Sequence, residues 1–266
     1  MTETDHLFRQ YFSDPSRFAD VFNAFVFDPA EKISPDCLTE KDSNALLGGP
    51  ANPVFPGVDP GRLLLHRAEW EGRSLDLCLY VLGEDDLDPA LPVTVMTIET
   101  LLYQSQLSAW RADTKDLAIM PGIVLVLYPG TKPQNTAKKL SELCAPAEKE
   151  WLGKTRKDFN VRLVTPFEAR RKEIHALNTD VREILLAAKY AGEKKKIAAF
   201  ISKNRDRIAG MKEDAKALFQ ALTGMPAEEE SPAGSEEVNN PSQVLTDYGR
   251  GLQKPLKHSV KMRESY

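Results

Sequence analysis

Two short apolar runs constrain this chain more than anything else in it. Residues 75–82 (LDLCLYVL) are apolar except for Asp76, and residues 123–128 (IVLVLY) are apolar throughout. The first stops at Gly83 and the second at Pro129-Gly130, punctuation that suits buried strands better than helices. Successive strand side chains point to opposite faces. Cys78, Tyr80 and Leu82 therefore face one way, and Leu77, Leu79 and Val81 the other. Only a sheet covered on both faces buries both sets. The expected covers are a helix over 92–110 on one side and helices from 167–222 on the other.

Around these strands the chain reads as α/β or α+β. Leu7, Phe8, Tyr11 and Phe12 recur at helical spacing, and Ser13-Asp14-Pro15 offers a cap with proline in the first turn of a second helix. Phe18, Val21, Phe22 and Phe25 form that helix's apolar face, while Asp20 and Asn23 lie off it and read as surface residues. Residues 28–61 hold six prolines and form a long connection with room for a short helix over 37–47. Residues 62–68 read as a strand that makes a hairpin with the 75–82 run. A short helix is expected over 136–143, a last strand over 161–164, and helix throughout 167–222. Ile174, Leu177, Val181, Ile184 and Leu185 give the clearest stripe of that region. From about residue 223 to 248, Glu and Pro replace apolar residues, the composition of a disordered acidic linker. Residues 249–266 carry five basic residues and one acid, a basic tail.

Composition excludes several classes. Cys37, Cys78 and Cys144 are odd in number and lack CxxC spacing, which argues against a disulfide scaffold or zinc knuckle. The start, Met-Thr-Glu-Thr-Asp, lacks the basic and apolar regions of a signal peptide. A soluble, intracellular protein is expected. Charge is uneven: residues 1–137 carry 10 basic and 20 acidic residues, and residues 138–216 carry 20 and 12. The basic region is either a phosphate-binding face or an ordinary solvated surface. Glu84, Asp85, Asp86 and Asp88 crowd the end of the first apolar run. Carboxylates placed so can hold a hard divalent cation, and they can equally form a solvated turn.

Residues 8–38 (FRQYFSDPSRFADVFNAFVFDPAEKISPDCL), the YVLGEDD strand edge, LPVTVMTIETLLYQSQ at 91–106 and PGIVLVLYPG at 121–130 together resemble the recombination-promoting nuclease/transposase family. That family looks like a branch of the PD-(D/E)XK nucleases, and the resemblance spans roughly residues 4–205. It implies a restriction-endonuclease-like mixed sheet sandwiched by helices over residues 1–222, with a helical C-terminal part from about 167. It also implies a bacterial, cytoplasmic DNA endonuclease. In the family an Asp and a Glu hold a divalent cation that activates water, and a Lys or Gln supports the attacking water.

The chain departs from that pattern at the chemistry. Arg67 matches the family's Arg, but Ala68 stands where its Asp belongs. Glu84 or Asp85 takes the place of the Glu, and Asp86 or Leu87 that of the Gln or Lys; a carboxylate cannot donate as those groups do. Glu69 adjoins Ala68 but points to the opposite face unless a bulge turns it. Asp76 and Glu84 share a face by parity yet lie roughly 26 Å apart along the strand, too far to chelate one ion. Asp20 matches an Asp of the family's second helix. The resemblance thus implies Asp85, Glu84 and Glu69 as candidate catalytic groups, and Asp85, Glu84 and Asp20 as candidate Mg²⁺ ligands. The site is degenerate, and DNA is the implied partner through residues 138–216. The competing expectation is a non-catalytic DNA-binding or regulatory protein, or a protein-interaction module, on the same scaffold.

Overall fold

The computed structural model describes residues 3–46, 58–83, 88–110, 118–130 and 136–225. The acidic linker from 226 and the basic tail lie outside the described residues. Five strands pair in chain order: β1 (Leu38–Lys41), β2 (Leu63–Trp70), β3 (Arg73–Val81), β4 (Gly122–Leu127) and β5 (Leu163–Val164). The first three are antiparallel, while β3, β4 and β5 run parallel. The sheet is therefore mixed and β3 is its middle strand. Glu71 and Gly72 both take positive φ, 48° and 72°, so a tight two-residue turn joins β2 to β3.

Both faces of the sheet are covered. Two helices precede it, α1 (Glu3–Phe12) and α2 (Pro15–Phe25), and α3 (Ser43–Leu46) follows β1. The long α4 (Leu91–Trp110) connects β3 to β4, and α5 (Pro146–Thr155) lies between β4 and β5. Five helices follow β5: α6 (Arg171–Ala176), α7 (Val181–Tyr190), α8 (Lys194–Lys203), α9 (Arg205–Ala209) and α10 (Glu213–Thr223). Leu77, Leu79 and Val81 pack with α1, α2, α7 and α10 in one cluster. Cys78, Tyr80 and Leu82 pack under Leu91, Val95, Ile98 and Leu102 of α4 in the other. The two-faced burial expected from β3 is realised on the elements expected to supply it.

Several local expectations need correction. Residues 28–61 include a strand, β1; its polar Thr39-Glu40-Lys41 hid it because an edge strand need not bury both faces. The 136–143 helix is a single 3₁₀ turn, Leu140–Leu143, while α5 was not expected because it buries no residue and leaves Trp151 65% exposed. The 161–164 strand shrinks to Leu163–Val164. The 167–222 helix is five short helices, interrupted first at Leu177–Asp180. No helix of the described residues is long and apolar enough to cross a membrane.

The interruption at 177–180 has its cause in α2. Asp14, Arg17 and Asp20 are spaced three apart and share one side of that helix. Asp14 caps its own helix through Ser16 N–H and accepts Lys212 Nζ at 2.6 Å. Arg17 is 2% exposed. Its Nε and Nη2 donate to Asp180 at 2.9 and 3.0 Å, and its Nη groups also donate to Asp214 and to the Tyr11 carbonyl. Asp20, read as a surface residue, is 5% exposed. It accepts from the backbone N–H groups of Asn178 and Thr179 at 2.9 and 2.8 Å and from the Thr179 hydroxyl at 2.7 Å. Those N–H groups leave helical pairing to meet the carboxylate, so the chain breaks there. Arg17→Ala would leave the half-buried Asp180 and Asp214 carboxylates without their shared cation and empty the sealed space its side chain fills. We expect a loss of about 3–5 kcal/mol in urea unfolding, with Arg17→Lys intermediate because a single ammonium cannot reproduce the fork.

His66 of β2 supplies a second buried polar group. It is 1% exposed, packs on Phe18 with centroids 4.2 Å apart and ring planes tilted by 45°, and its Nδ1 has no hydrogen-bond partner among the described residues. Burial pushes its imidazole below the ordinary value, and Glu40 on the paired strand only partly opposes this. In the unfolded chain His66 takes a proton as pH falls through about 6.5, whereas the folded protein resists until lower pH. The neutral-form advantage is complete above that value and is lost toward acid. Urea midpoints should fall between about pH 7.5 and about pH 5.5, and His66→Leu should flatten part of that slope.

Candidate nucleic-acid interface

The residues that the resemblance assigns to a metal site do not assemble among the described residues. Glu84 and Asp85, with Asp86 and Leu87, lie outside them. Ala68 is fully buried, its methyl group in the cluster beneath α1 and α2. Glu69 faces the other side of the sheet, is exposed, and accepts Ser74 Oγ at 2.7 Å. No bulge turns it, since β2 and β3 pair residue for residue from Leu63 to Trp70. Asp20 is surrounded by four donor groups, two from backbone and two from side chains. A carboxylate so engaged has no open direction for a cation. Asp88, the last acid of the run, stands before α4, where its side chain accepts Ala90 N–H and the Thr94 hydroxyl.

Asp76, the one polar residue of the central apolar run, is also committed. It is 4% exposed and accepts Arg67 Nε at 3.0 Å and Gln106 Nε2 at 2.9 Å. Gln106 in turn receives Met120 N–H, so this cluster ties the end of α4 to the approach to β4. Among the described residues no three His, Cys, Asp or Glu side chains could hold one metal ion. Asp20, Glu69, Asp76 and Asp88, each engaged by its own donors, form no cation site among the described residues.

The basic region organises differently. Many of its cations have a carboxylate beside them: Lys138 with Glu168, Lys154 with Glu150, Arg170 with Glu173, Arg207 with Glu183 and Lys212 with Asp14. One part is answered less completely. A groove of about 630 Å³ lies between α6, α7 and α8, and six basic side chains line it: Arg171, His175, Arg182, Lys189, Lys196 and Lys203. No acidic residue among those described lines it. Lys189 and Lys203 have no ion pair among the described residues, while Lys196 pairs at the rim with Glu193.

The geometry follows from spacing. His175, Arg182, Lys189, Lys196 and Lys203 recur every seven residues. Seven residues are close to two turns of helix, so Arg182 and Lys189 share one side of α7, and Lys196 and Lys203 one side of α8. The turn at 191–193 brings the two sides to one groove. Between the cations the wall is apolar, from Ile174, Leu186, Tyr190 and Phe200. Glu183, adjacent to Arg182, lies behind the groove at 2% exposure. Burial pushes its carboxyl up, against the opposing pull of Arg207 at 2.9 Å and Arg182 at 3.5 Å.

Charge composition points to this half of the chain, and the seven-residue register of Arg182, Lys189, Lys196 and Lys203 is a sharper signal. What no spacing reveals is that α7 and α8 fold back on each other. Compared with known protein families, characterised proteins and solved structures, the chain matches none.

The position of Ala68 yields a direct test of the nuclease alignment. An Asp there would place a carboxylate among apolar side chains with no partner. Ala68→Asp should cost about 3 kcal/mol or more in urea unfolding and gain no Mg²⁺-dependent plasmid nicking. A stable Ala68→Asp protein that nicks would restore the alignment.

Proposed function

We propose that this protein binds DNA through the α6–α8 groove and does so without efficient cleavage. The observation that carries the reading is the groove itself: Arg171, Lys189 and Lys203 line one concavity without a carboxylate partner among the described residues, in a chain whose formal charge is −4. A chain of negative net charge gains nothing from nonspecific attraction to phosphate, so a local concentration of cations has to supply the attraction. Short helices presenting Arg and Lys at two-turn intervals suit a repeating polyanion better than a single small anion. The apolar wall adds contacts that a purely solvated basic surface lacks.

The five-stranded mixed sheet with helices on both faces is compatible with the PD-(D/E)XK sandwich that the resemblance implies. In that reading the scaffold is retained while the family's Asp position holds a core methyl group, at Ala68. Hydrolysis would then rest on Glu84 and Asp85 without their partner. Loss of one metal ligand worth about 4 kcal/mol in the transition state already means roughly a thousandfold in rate. DNA binding depends on no such ligand.

Fluorescence anisotropy with a labelled DNA oligonucleotide tests the proposal. The logarithm of the binding constant should fall linearly with the logarithm of salt concentration. Lys189→Glu combined with Lys203→Glu should weaken binding at least about tenfold and reduce the salt slope by about two, one for each phosphate contact removed. Both residues lie on the groove side of their helices, so melting temperature should hold. An unchanged affinity and slope in the double variant would overturn the assignment, as would absence of binding by the wild type at low salt.

A further inference from the structure

We infer that the groove is built for single-stranded DNA and takes an unpaired base against its apolar wall; this rests on the DNA-binding reading above. The distinguishing feature is the arrangement of two chemistries in one concavity. Arg182, Lys189 and Lys203 supply charge at its walls, whereas Leu186, Tyr190 and Phe200 supply apolar surface. Duplex DNA presents phosphates and groove edges and keeps its base faces in the stack. It could satisfy the cations but would leave the apolar wall uncovered. A single strand offers both at once, charge along its backbone and a flat apolar face on every base.

The aromatic side chains are placed for that role. Tyr190 is half-buried at the end of α7 and meets Phe200 of α8 at 5.8 Å between ring centroids, with the planes tilted by 53°. Phe200 is 8% exposed and belongs to the core. It anchors the tyrosine ring from behind while part of that ring stays accessible. The volume of about 630 Å³ falls in the range of pockets that accept organic ligands, more room than an inorganic phosphate alone would use. Arg182 and Lys189 lie seven residues apart, roughly 10.5 Å along the helix axis, so they cannot both serve one phosphate head-on. They flank the wall instead, with Tyr190 next to the second of them.

The experiment compares three labelled probes of equal length, about 12 nucleotides, on the full chain at fixed salt: a single strand, its duplex, and the same single strand with abasic sites throughout its centre. The inference expects the single strand to bind about tenfold or more tighter than the duplex, and the abasic strand to lose about fivefold or more. Tyr190→Leu, which keeps apolar volume and fold as checked by thermal melting, should erase most of the difference between the intact and abasic strands. It should leave the salt slope unchanged. Equal binding of intact and abasic strands, or tighter binding of duplex, would overturn the inference while the DNA-binding reading survived. Failure of all three probes to bind at low salt would overturn both.

Discussion

The guanidinium of Arg17 is the point on which the two ends of this fold depend. It lies over the Tyr11 ring at 3.9 Å and is nearly sealed from solvent. Its planar fork divides between Asp180, before the first turn of α7, and Asp214, in the first turn of α10. Both carboxylates thus stand where helix dipoles favour negative charge, which adds to what the guanidinium supplies. The hydrogen bonds from Arg17 hold the Asp214 carboxyl below the usual carboxylate range despite its partial burial. One cation therefore sets the angle at which α7 and α10 approach α1 and α2. Because Val181, Ile184, Leu185 and Ala188 of α7 are buried, fixing that angle also decides where Arg182 and Lys189 point. The groove is a downstream result of a clamp on the other side of the same helix.

How much of this could be read beforehand varies with the distance between partners. The two-faced sheet was legible from LDLCLYVL alone, since alternation of apolar residues on both parities has one solution. Asp14-Pro15 marked the start of α2 correctly because its capping partner is Ser16, two residues away. Asp20, read as a surface residue, defeated the same method, and Arg17 three residues before it drew no reading at all. Their spacing is that of a solvated helical side, and nothing local separates a stripe facing water from one facing aspartates and amides far along the chain. The short β1 failed for a related reason, since a strand paired on one side only needs little apolar content. In the candidate site, the charge imbalance marked the half of the chain that holds the groove. The strand read over 62–68 placed Ala68 correctly in β2, but the identity of its neighbours depends on which face of that strand meets α1 and α2.

Surface cations in the basic half divide into two populations with different meanings. Pairs such as Lys154 with Glu150 and Lys196 with Glu193 are i to i+4 and i to i+3 contacts between exposed side chains, worth a few tenths of a kcal/mol and largely screened by salt. They inflate a count of basic residues without producing a field. Lys189 and Lys203 differ because the groove lining supplies no carboxylate to answer them. A tally of Lys and Arg weighs both populations alike, which is why the excess over 138–216 was a sound pointer to a region and a poor description of a site.

The contacts of Arg17 span 163 and 197 residues of chain, and that separation has a consequence for biosynthesis. At about 5–20 residues per second, a ribosome needs about 10–40 s after making α2 before Asp214 exists. Throughout that interval Phe8, Phe12, Phe18 and Phe22, all fully or nearly buried in the finished protein, have only part of their final cover. Helices α1 and α2 are made before the α7 and α10 residues that cover them and are among the last elements to be completed. A nascent chain of this kind carries an aromatic surface until α10 emerges, and truncation before α10 removes Leu218, Phe219 and Leu222 from the cluster that covers it.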